Sequence, residues 1–127
     1  MSESSVNVRY MVSDVQAAVD WYVGHFGFAV QLNAAPAFAS VERGPIRILL
    51  SGRTSSAGRP MPDGRQPEPG GWNRLQLVMG DLAAEVARLR DEGVQFRNDI
   101  LSGPGGSQIL AEDPSGNVLE LFQPAGR

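Results

Sequence analysis

Hydrophobic and polar positions follow one plan twice along this chain. Each half runs from an alternating, strand-like segment through an aspartate into an amphipathic helix, a glycine and further strand-like segments. The two aspartates, Asp14 and Asp81, occupy equivalent places. A short carboxylate accepts the free N–H groups of a first helical turn, so both are predicted N-caps. The pattern therefore predicts an internal repeat of one supersecondary unit.

Helical spacing places an apolar stripe on each predicted helix. The stripes comprise Val15, Ala18, Val19, Tyr22 and Phe26 in the first helix, and Leu82, Val86 and Leu89 in the second. Gly27 and Gly93 follow these stripes, where a residue with a left-handed backbone commonly ends a helix.

Three strand-like segments follow each helix. They are Phe28–Asn33, Phe38–Arg43 and Ile46–Ser51 in the first half, and Val94–Asn98, Gln108–Glu112 and Val118–Gln123 in the second. Turn signals at Gly44-Pro45 and at residues 114–117 separate neighbouring strands. The predicted fold class is therefore α+β, as two βαβββ modules over about residues 6–51 and 72–124 of a single domain.

A segment rich in Gly, Pro, Ser and Arg, residues 52–71, lies between the predicted modules. Its composition predicts neither a helix nor a central strand. It is either a solvated connector or a flap over a pocket. As a linker, it permits the modules to pair within one chain or between two chains.

Strand alternation assigns side chains to two sheet faces. The set predicted to face the helices is Val8, Tyr10, Val12, Leu75, Leu77, Met79, Leu119 and Leu121. The opposite set is Asn7, Arg9, Met11, Arg74, Gln76, Val78, Val118, Glu120 and Phe122. The face away from the helices is therefore predicted to be polar in both modules.

Composition excludes several classes of function. Hydrophobic residues make up 42% of the chain and charged residues 20%, as in an ordinary globular protein. The net charge of −3 and the lack of a basic run argue against nucleic acid or an anionic membrane as partner. No cysteine is present, which excludes disulfides and thiol chemistry. With neither an apolar signal segment nor a run of the roughly 20 apolar residues that a membrane span needs, a cytoplasmic protein is expected.

Two sequence motifs resemble one known family. Residues 12–15, with Trp21-Tyr22 and Gly27-Phe28, are similar to its opening strand, helix and corner. Residues 112–122, EDPSGNVLELF, resemble its closing hairpin. This family is the vicinal-oxygen-chelate superfamily of glyoxalases, bleomycin-resistance proteins and extradiol dioxygenases. The resemblance covers roughly residues 6–124, and a ferredoxin-like βαββ duplication is the structural alternative.

The resemblance implies a cup of curved sheets that holds a divalent metal. Its ligands, usually His, Gln or Glu, come from the first and last strands of each module. The matching positions here are Asn7, Arg74, Glu120 and a place near Arg47 to Leu49. Glu120 alone matches the usual ligands, and an arginine repels a metal ion because it offers only donors and a fixed positive charge. We therefore expect no metal and no other cofactor.

The predicted ligand-binding residues are Asn7, Arg9, Arg47, Trp72, Arg74, Gln76, Glu120 and Phe122. Arg74 and Glu120 either form an ion pair that replaces the lost metal, or leave arginines available to bind an anionic ligand. No catalytic residue is assigned.

The resemblance leaves three functions open. The leading expectation is metal-free binding or sequestration of a small molecule, for which an anionic compound is a candidate, in the cup between the modules, as in the bleomycin-resistance branch. The alternative is a metal-dependent lyase, isomerase or dioxygenase that acts on a vicinal-oxygen substrate. A third is an auxiliary domain with a purely structural cup. We also expect a homodimer, because family members often build their cups at a dimer interface.

Overall fold

The predicted helix–strand repeat is present in the structure, a computed structural model that describes residues 6–126. The chain divides between Pro69 and Gly70 into two units, here named the first and second modules. Each module contains one helix and one curved sheet, so the predicted α+β fold with two βαβββ modules is confirmed. Neither helix within the described range is long and apolar enough to cross a membrane.

The first module follows the βαβββ order without interruption. Its elements are β1 (Asn7–Met11), α1 (Val15–Phe26), β2 (Ala29–Ala34), β3 (Phe38–Arg43) and β4 (Ile46–Ser51). The strands lie in the order β1-β4-β3-β2. β1 runs parallel to β4, and the other pairs are antiparallel.

The second module repeats this plan with a broken edge strand. Its elements are β5 (Leu75–Val78), α2 (Leu82–Asp91), β6 (Gln95–Phe96), β7 (Leu101–Gly103), β8 (Gly106–Glu112) and β9 (Val118–Pro124). The strands lie in the order β5-β9-β8-β6, and β7 also pairs with β8. β5 runs parallel to β9.

The break in this edge strand differs from the continuous strand predicted at Val94–Asn98. The Asn98 side chain accepts a hydrogen bond from the Leu110 backbone N–H at 3.0 Å. A side-chain oxygen thus takes the place of a backbone carbonyl in the ladder, and pairing resumes only at Leu101. Strand β7 was not predicted from the sequence.

The predicted helix ends are confirmed. Asp14 Oδ1 accepts a hydrogen bond from the Ala17 N–H at 3.0 Å, and Asp81 Oδ1 accepts one from the Ala84 N–H at 3.1 Å. Both terminating glycines have a left-handed backbone, with φ of 72° in the first module and 88° in the second. A residue with a Cβ is sterically strained in that conformation, so glycine fits these two positions.

In each module the helix covers one sheet face and forms the core with it. The fully buried side chains include Tyr22, Val41, Ile48 and Leu50 in the first module, and Leu82, Leu89, Ile109, Leu119 and Leu121 in the second. Burial of each such side chain contributes about 1.5–3 kcal/mol, which fixes the register of the strands. The buried positions that face the helices are therefore apolar, whereas Arg9 and Glu120 lie on the opposite face.

The segment between the modules contains local structure that its composition did not predict. A short 3₁₀ turn forms at Ser56–Gly58, and the buried Ser55 hydroxyl donates to the Gly52 carbonyl oxygen at 2.6 Å. A Cβ on Gly58 would lie 2.5 Å from the Arg53 carbonyl oxygen, so this turn requires glycine. The beginning of the segment is thus packed as part of the first module, whereas residues 60–66 are exposed.

Candidate functional site

A polar site lies on the sheet face of the second module that points away from α2. Strand register places Gln76 opposite Glu120, with Leu110 on the other side of Glu120. The second cup face, as we name it, comprises Arg74, Gln76, Val78, Gln108, Leu110, Glu112, Val118, Glu120 and Phe122. The polar members surround Glu120.

The Glu120 carboxylate is buried and bound by side chains of its own module. Its side chain is 10% exposed. Arg74 Nε and Nη2 each lie 3.0 Å from Oε1, and Gln76 Nε2 donates to Oε2 at 2.7 Å. Of the two alternatives for Arg74 and Glu120, the ion pair is therefore present, and it is reinforced by a neutral donor. Charge-assisted bonds of this kind are the stronger hydrogen bonds of proteins.

Gln108 adds a fourth side chain to this network. When its amide nitrogen faces Glu120, it lies 3.3 Å from Oε1 and 3.1 Å from Oε2. We assign this orientation because it places a donor, and not a carbonyl oxygen, against the carboxylate. Both oxygens of Glu120 then have donors from within the module.

Arg74 is also held at its remaining nitrogen. Nη1 donates to the Trp72 carbonyl oxygen at 3.1 Å, and the arginine side chain is 28% exposed. All three guanidinium nitrogens thus contact acceptors of the second module. The main contacts of Arg74 are structural, and any ligand would meet an arginine that is already neutralised.

Trp72 is held in place by Arg97, a residue that the sequence did not single out. The guanidinium lies 4.5 Å from the indole centroid, and the indole is 66% exposed. Arg97 donates to Glu112 Oε2 at 2.6 Å and to the carbonyl oxygens of Gly71 and Gly116 at 3.0 and 2.9 Å. This set of contacts, the Arg97 clamp, fastens the segment before β5 to the turn between β8 and β9.

The first module carries a second polar face. The first cup face comprises Asn7, Arg9, Met11, Phe38, Ser40, Glu42, Arg47, Leu49 and Ser51, on the side of the sheet away from α1. Arg9 Nη1 donates to the buried Ser51 hydroxyl at 2.7 Å. Arg47 and Glu42 form a looser ion pair at 3.3 Å, with side chains 41% and 42% exposed.

Each cup face borders a cleft. Asn7, Glu42 and Arg47 line an open cleft of about 460 Å³ at the end of the β3–β4 hairpin. Gln108 and Phe122 line a smaller cleft of about 230 Å³ with residues of the β7–β8 hairpin. These clefts contain five residues of the two cup faces, yet neither is an enclosed pocket.

The four positions that match the family's metal ligands do not form a metal-binding set. Val8 pairs with Ile48 in the first module, and Leu75 pairs with Leu119 at the equivalent place in the second. Because Leu49 follows Ile48 as Glu120 follows Leu119, Leu49 is the first-module counterpart of Glu120. The four residues are then Asn7, Leu49, Arg74 and Glu120, which offer one carboxylate beside a fixed cation. Among residues 6–126, no three His, Cys, Asp or Glu side chains are grouped as metal ligands.

The structure brings the predicted site residues together in subsets. Arg74, Gln76 and Glu120 form one network, and the Trp72 backbone joins it. Asn7 and Arg47 are register partners, whereas Arg9 bonds to Ser51. Phe122 lies on the second cup face beside Gln108.

Several contributing residues were missed from the sequence. Gln108 alternates with Leu110 on β8, and that alternation would have placed it on the second cup face. Ser51 and Glu42 follow in the same way from β4 and β3. Arg97 gave no such signal, because its role depends on a broken edge strand.

Comparison with known proteins agrees with this geometry. A model of the Glyoxalase/Bleomycin resistance protein/Dioxygenase superfamily matches residues 5–121. No protein with a curated description matches the chain.

Solved structures share the fold over nearly the whole chain. A superfamily member from Sphaerobacter thermophilus DSM 20745 is 26% identical, with a TM-score of 0.74 and coverage of 96% of this chain and 98% of that one. TnmS3, an antibiotic binding protein from Streptomyces sp. CB03234, is 26% identical, with a TM-score of 0.67 and coverage of 98% and 100%. Lactoylglutathione lyase from Agrobacterium tumefaciens is 18% identical, with a TM-score of 0.73 and coverage of 96% and 94%. The chain therefore belongs to the glyoxalase/bleomycin resistance protein/dioxygenase superfamily.

Proposed function

We propose that this protein binds and sequesters a small molecule on its cup faces without a resident metal. The observation that carries the proposal is the state of Glu120. Both oxygens of this carboxylate are bound by Arg74, Gln76 and Gln108, so the one acidic side chain at a metal-ligand position is already engaged. A metal ion would have to displace a fixed cation that lies in contact with that carboxylate.

Similarity to TnmS3 supports a binding function. That protein is described as an antibiotic binding protein, and the two chains align over almost their full lengths. Binding proteins need shape and polar complementarity but no catalytic group. The cup faces supply polar donors beside apolar side chains such as Met11 and Phe122, which suits a ligand with an oxygen-rich or anionic group.

We propose further that the protein is a cytoplasmic homodimer. Every residue of the edge strand β2 is exposed, and Val30 and Leu32 present apolar side chains there at 48% and 52% exposure. Exposed edge strands with apolar residues are commonly covered by a partner. Sedimentation velocity tests this proposal, and a monomer at micromolar concentration would contradict it.

Two measurements test the metal-free binding function. Thermal unfolding in a panel of anionic and neutral aromatic metabolites should show a rise in Tm with at least one compound, because a ligand that binds only the folded state stabilises it. Elemental analysis after soaking in Mn, Fe, Ni and Zn should give far less than one metal per chain.

The outcomes separate the candidate functions. Stoichiometric metal would overturn the proposal in favour of a metal-dependent lyase, isomerase or dioxygenase. No change in Tm with any compound would favour an auxiliary domain with a structural cup.

A further inference from the structure

The charged side chains of the second cup face are paired. Glu120 pairs with Arg74, and Glu112 pairs with Arg97. With Arg97 counted as the counter-charge of Glu112, this face therefore has no net charge. An anionic ligand there would have to compete with carboxylates that already bind the arginines.

The first cup face carries one positive charge that no carboxylate of that face compensates, unlike the second cup face. Arg47 is paired with Glu42, but Arg9 is paired with no carboxylate of residues 6–126. The Arg9 side chain donates instead to the neutral Ser51 hydroxyl. Arg9 is thus an exposed cation whose charge is not compensated on its own face.

Arg9 is also held in position. Ser51 is fully buried on the neighbouring strand, and its hydroxyl oxygen accepts from Arg9 Nη1 at 2.7 Å. A guanidinium carries five N–H donors in a planar fork that matches a carboxylate. One contact to a buried hydroxyl restricts the side chain while further donors remain for a ligand. Restricting a long side chain in advance lowers the entropy that binding costs.

We propose that Arg9, together with Ser51, is the anion-binding point of this protein, and that its ligand carries a single carboxylate on an apolar body. This inference rests on the proposed binding function. One uncompensated charge suits one negative charge, and a dianion such as a phosphate monoester would need a second free cation. Met11 lies two residues after Arg9 on the same face of β1, and Leu49 pairs with Arg9 on β4. Both supply apolar contact for the ligand body.

A pair of probes isolates the carboxylate contribution. 2-Naphthoate and 2-naphthamide share one ring system and differ in charge. Each is titrated into the full chain to about 10 mM and followed by NMR chemical-shift changes, a range that covers weak affinities. The wild-type protein should bind naphthoate about tenfold more tightly, as expected for one charge-assisted contact. A further titration with 2-naphthyl phosphate should show no gain over naphthoate.

Variants assign that preference to Arg9. Arg9→Met should bind the two naphthalenes equally, and Arg9→Lys should keep part of the preference because it retains the charge without the fork. Arg43→Met is the matched control. Arg43 is an exposed arginine on β3, and strand alternation places it on the opposite face from Glu42. Its substitution should leave both affinities unchanged.

The outcomes also separate this inference from the proposed function. A wild-type protein without preference for naphthoate, or an Arg9→Met variant that keeps the preference and melts like wild type, overturns the role of Arg9. Tighter binding of naphthyl phosphate overturns the assignment to a single carboxylate. Ligand-dependent stabilisation by any compound of the metabolite panel would still uphold the binding function in each of these cases.

Discussion

The two modules are alike on one sheet face and different on the other. Positions that face the helices are apolar in both, as with Tyr10 and Leu77, or Ile48 and Leu119. Equivalent positions on the cup faces have diverged: Leu49 in the first module stands where the second has Glu120. The helix-facing pattern is the minimum that the fold requires, because it forms the core. The cup faces lie outside this helix-packed core, and the two modules differ there in charge and polarity.

The closing hairpins show a similar contrast. β3 and β4 are joined by the two residues Gly44-Pro45, with φ of 57° at the glycine. β8 and β9 are joined through a turn organised by Asp113, which is 5% exposed. Asp113 Oδ1 accepts from the backbone N–H groups of Ser115 and Asn117 at 2.8 and 2.9 Å. The first hairpin depends on backbone conformation, and the second on a buried carboxylate.

The largest effect that we expect follows from this second turn. Asp113→Ala removes an acceptor from two backbone donors and from the Asn117 side chain. Since hydrogen bonds to a charged group contribute about 1.5–3 kcal/mol, we expect a loss of about 3 kcal/mol in the free energy of unfolding. Urea denaturation measures this loss.

Gly44→Ala is the matched change in the first module. A Cβ there meets no atom within 4 Å, so only the strain of a left-handed alanine remains, about 1 kcal/mol. Equal losses in the two variants would show that the buried carboxylate does not set the stability of the second hairpin.

A smaller effect should distinguish the Arg74–Glu120 pair of the second cup face from the Arg47–Glu42 pair of the first. Arg74→Met and Glu120→Gln should each destabilise the protein by about 1.5 kcal/mol, because each leaves a poorly exposed partner without its counter-charge. The double variant should cost little more than one single variant, which gives a coupling energy of about 1–2 kcal/mol.

The looser pair of the first module serves as the comparison. Arg47 and Glu42 are each about two-fifths exposed, so the cycle with Arg47→Met and Glu42→Gln should give a coupling below about 0.5 kcal/mol. An unchanged Tm in Glu120→Gln would contradict the role of the Arg74–Glu120 pair in stability.

Most of the fold followed from local physical signals in the sequence. Asp14 and Asp81 mark helix starts because few residues can cap a first turn, and alternation along β1, β5 and β9 fixes which side chains face the core. The interruption between β6 and β7 was not predictable in this way. It depends on the Asn98 side chain reaching Leu110 from a neighbouring strand, a contact that no local pattern encodes.

The candidate site was predictable in part. Arg74, Gln76 and Glu120 followed from alternation together with the family resemblance. The functions of Arg9 and Arg74 could not be separated, because charge compensation depends on which carboxylates lie beside each arginine in three dimensions. The sequence placed both arginines on cup faces. Within residues 6–126, Arg74 is paired with a carboxylate of its own face, and Arg9 is not.

The smallest effect concerns the Arg97 clamp of the second module. Arg97→Lys keeps the charge but loses the fork that joins Glu112 to the carbonyl oxygens of Gly71 and Gly116. We expect the free energy of detaching the segment before β5 to fall by about 1 kcal/mol. This change corresponds to about fivefold faster trypsin cleavage after the exposed Arg65. Arg90→Lys is the control, since the Arg90 side chain pairs with the almost fully exposed Asp99 and lies over Phe96. Equal cleavage rates in the two variants would mean that the clamp does not hold this segment, and that the exposed indole of Trp72 is positioned by the Arg74 contact to its carbonyl oxygen alone.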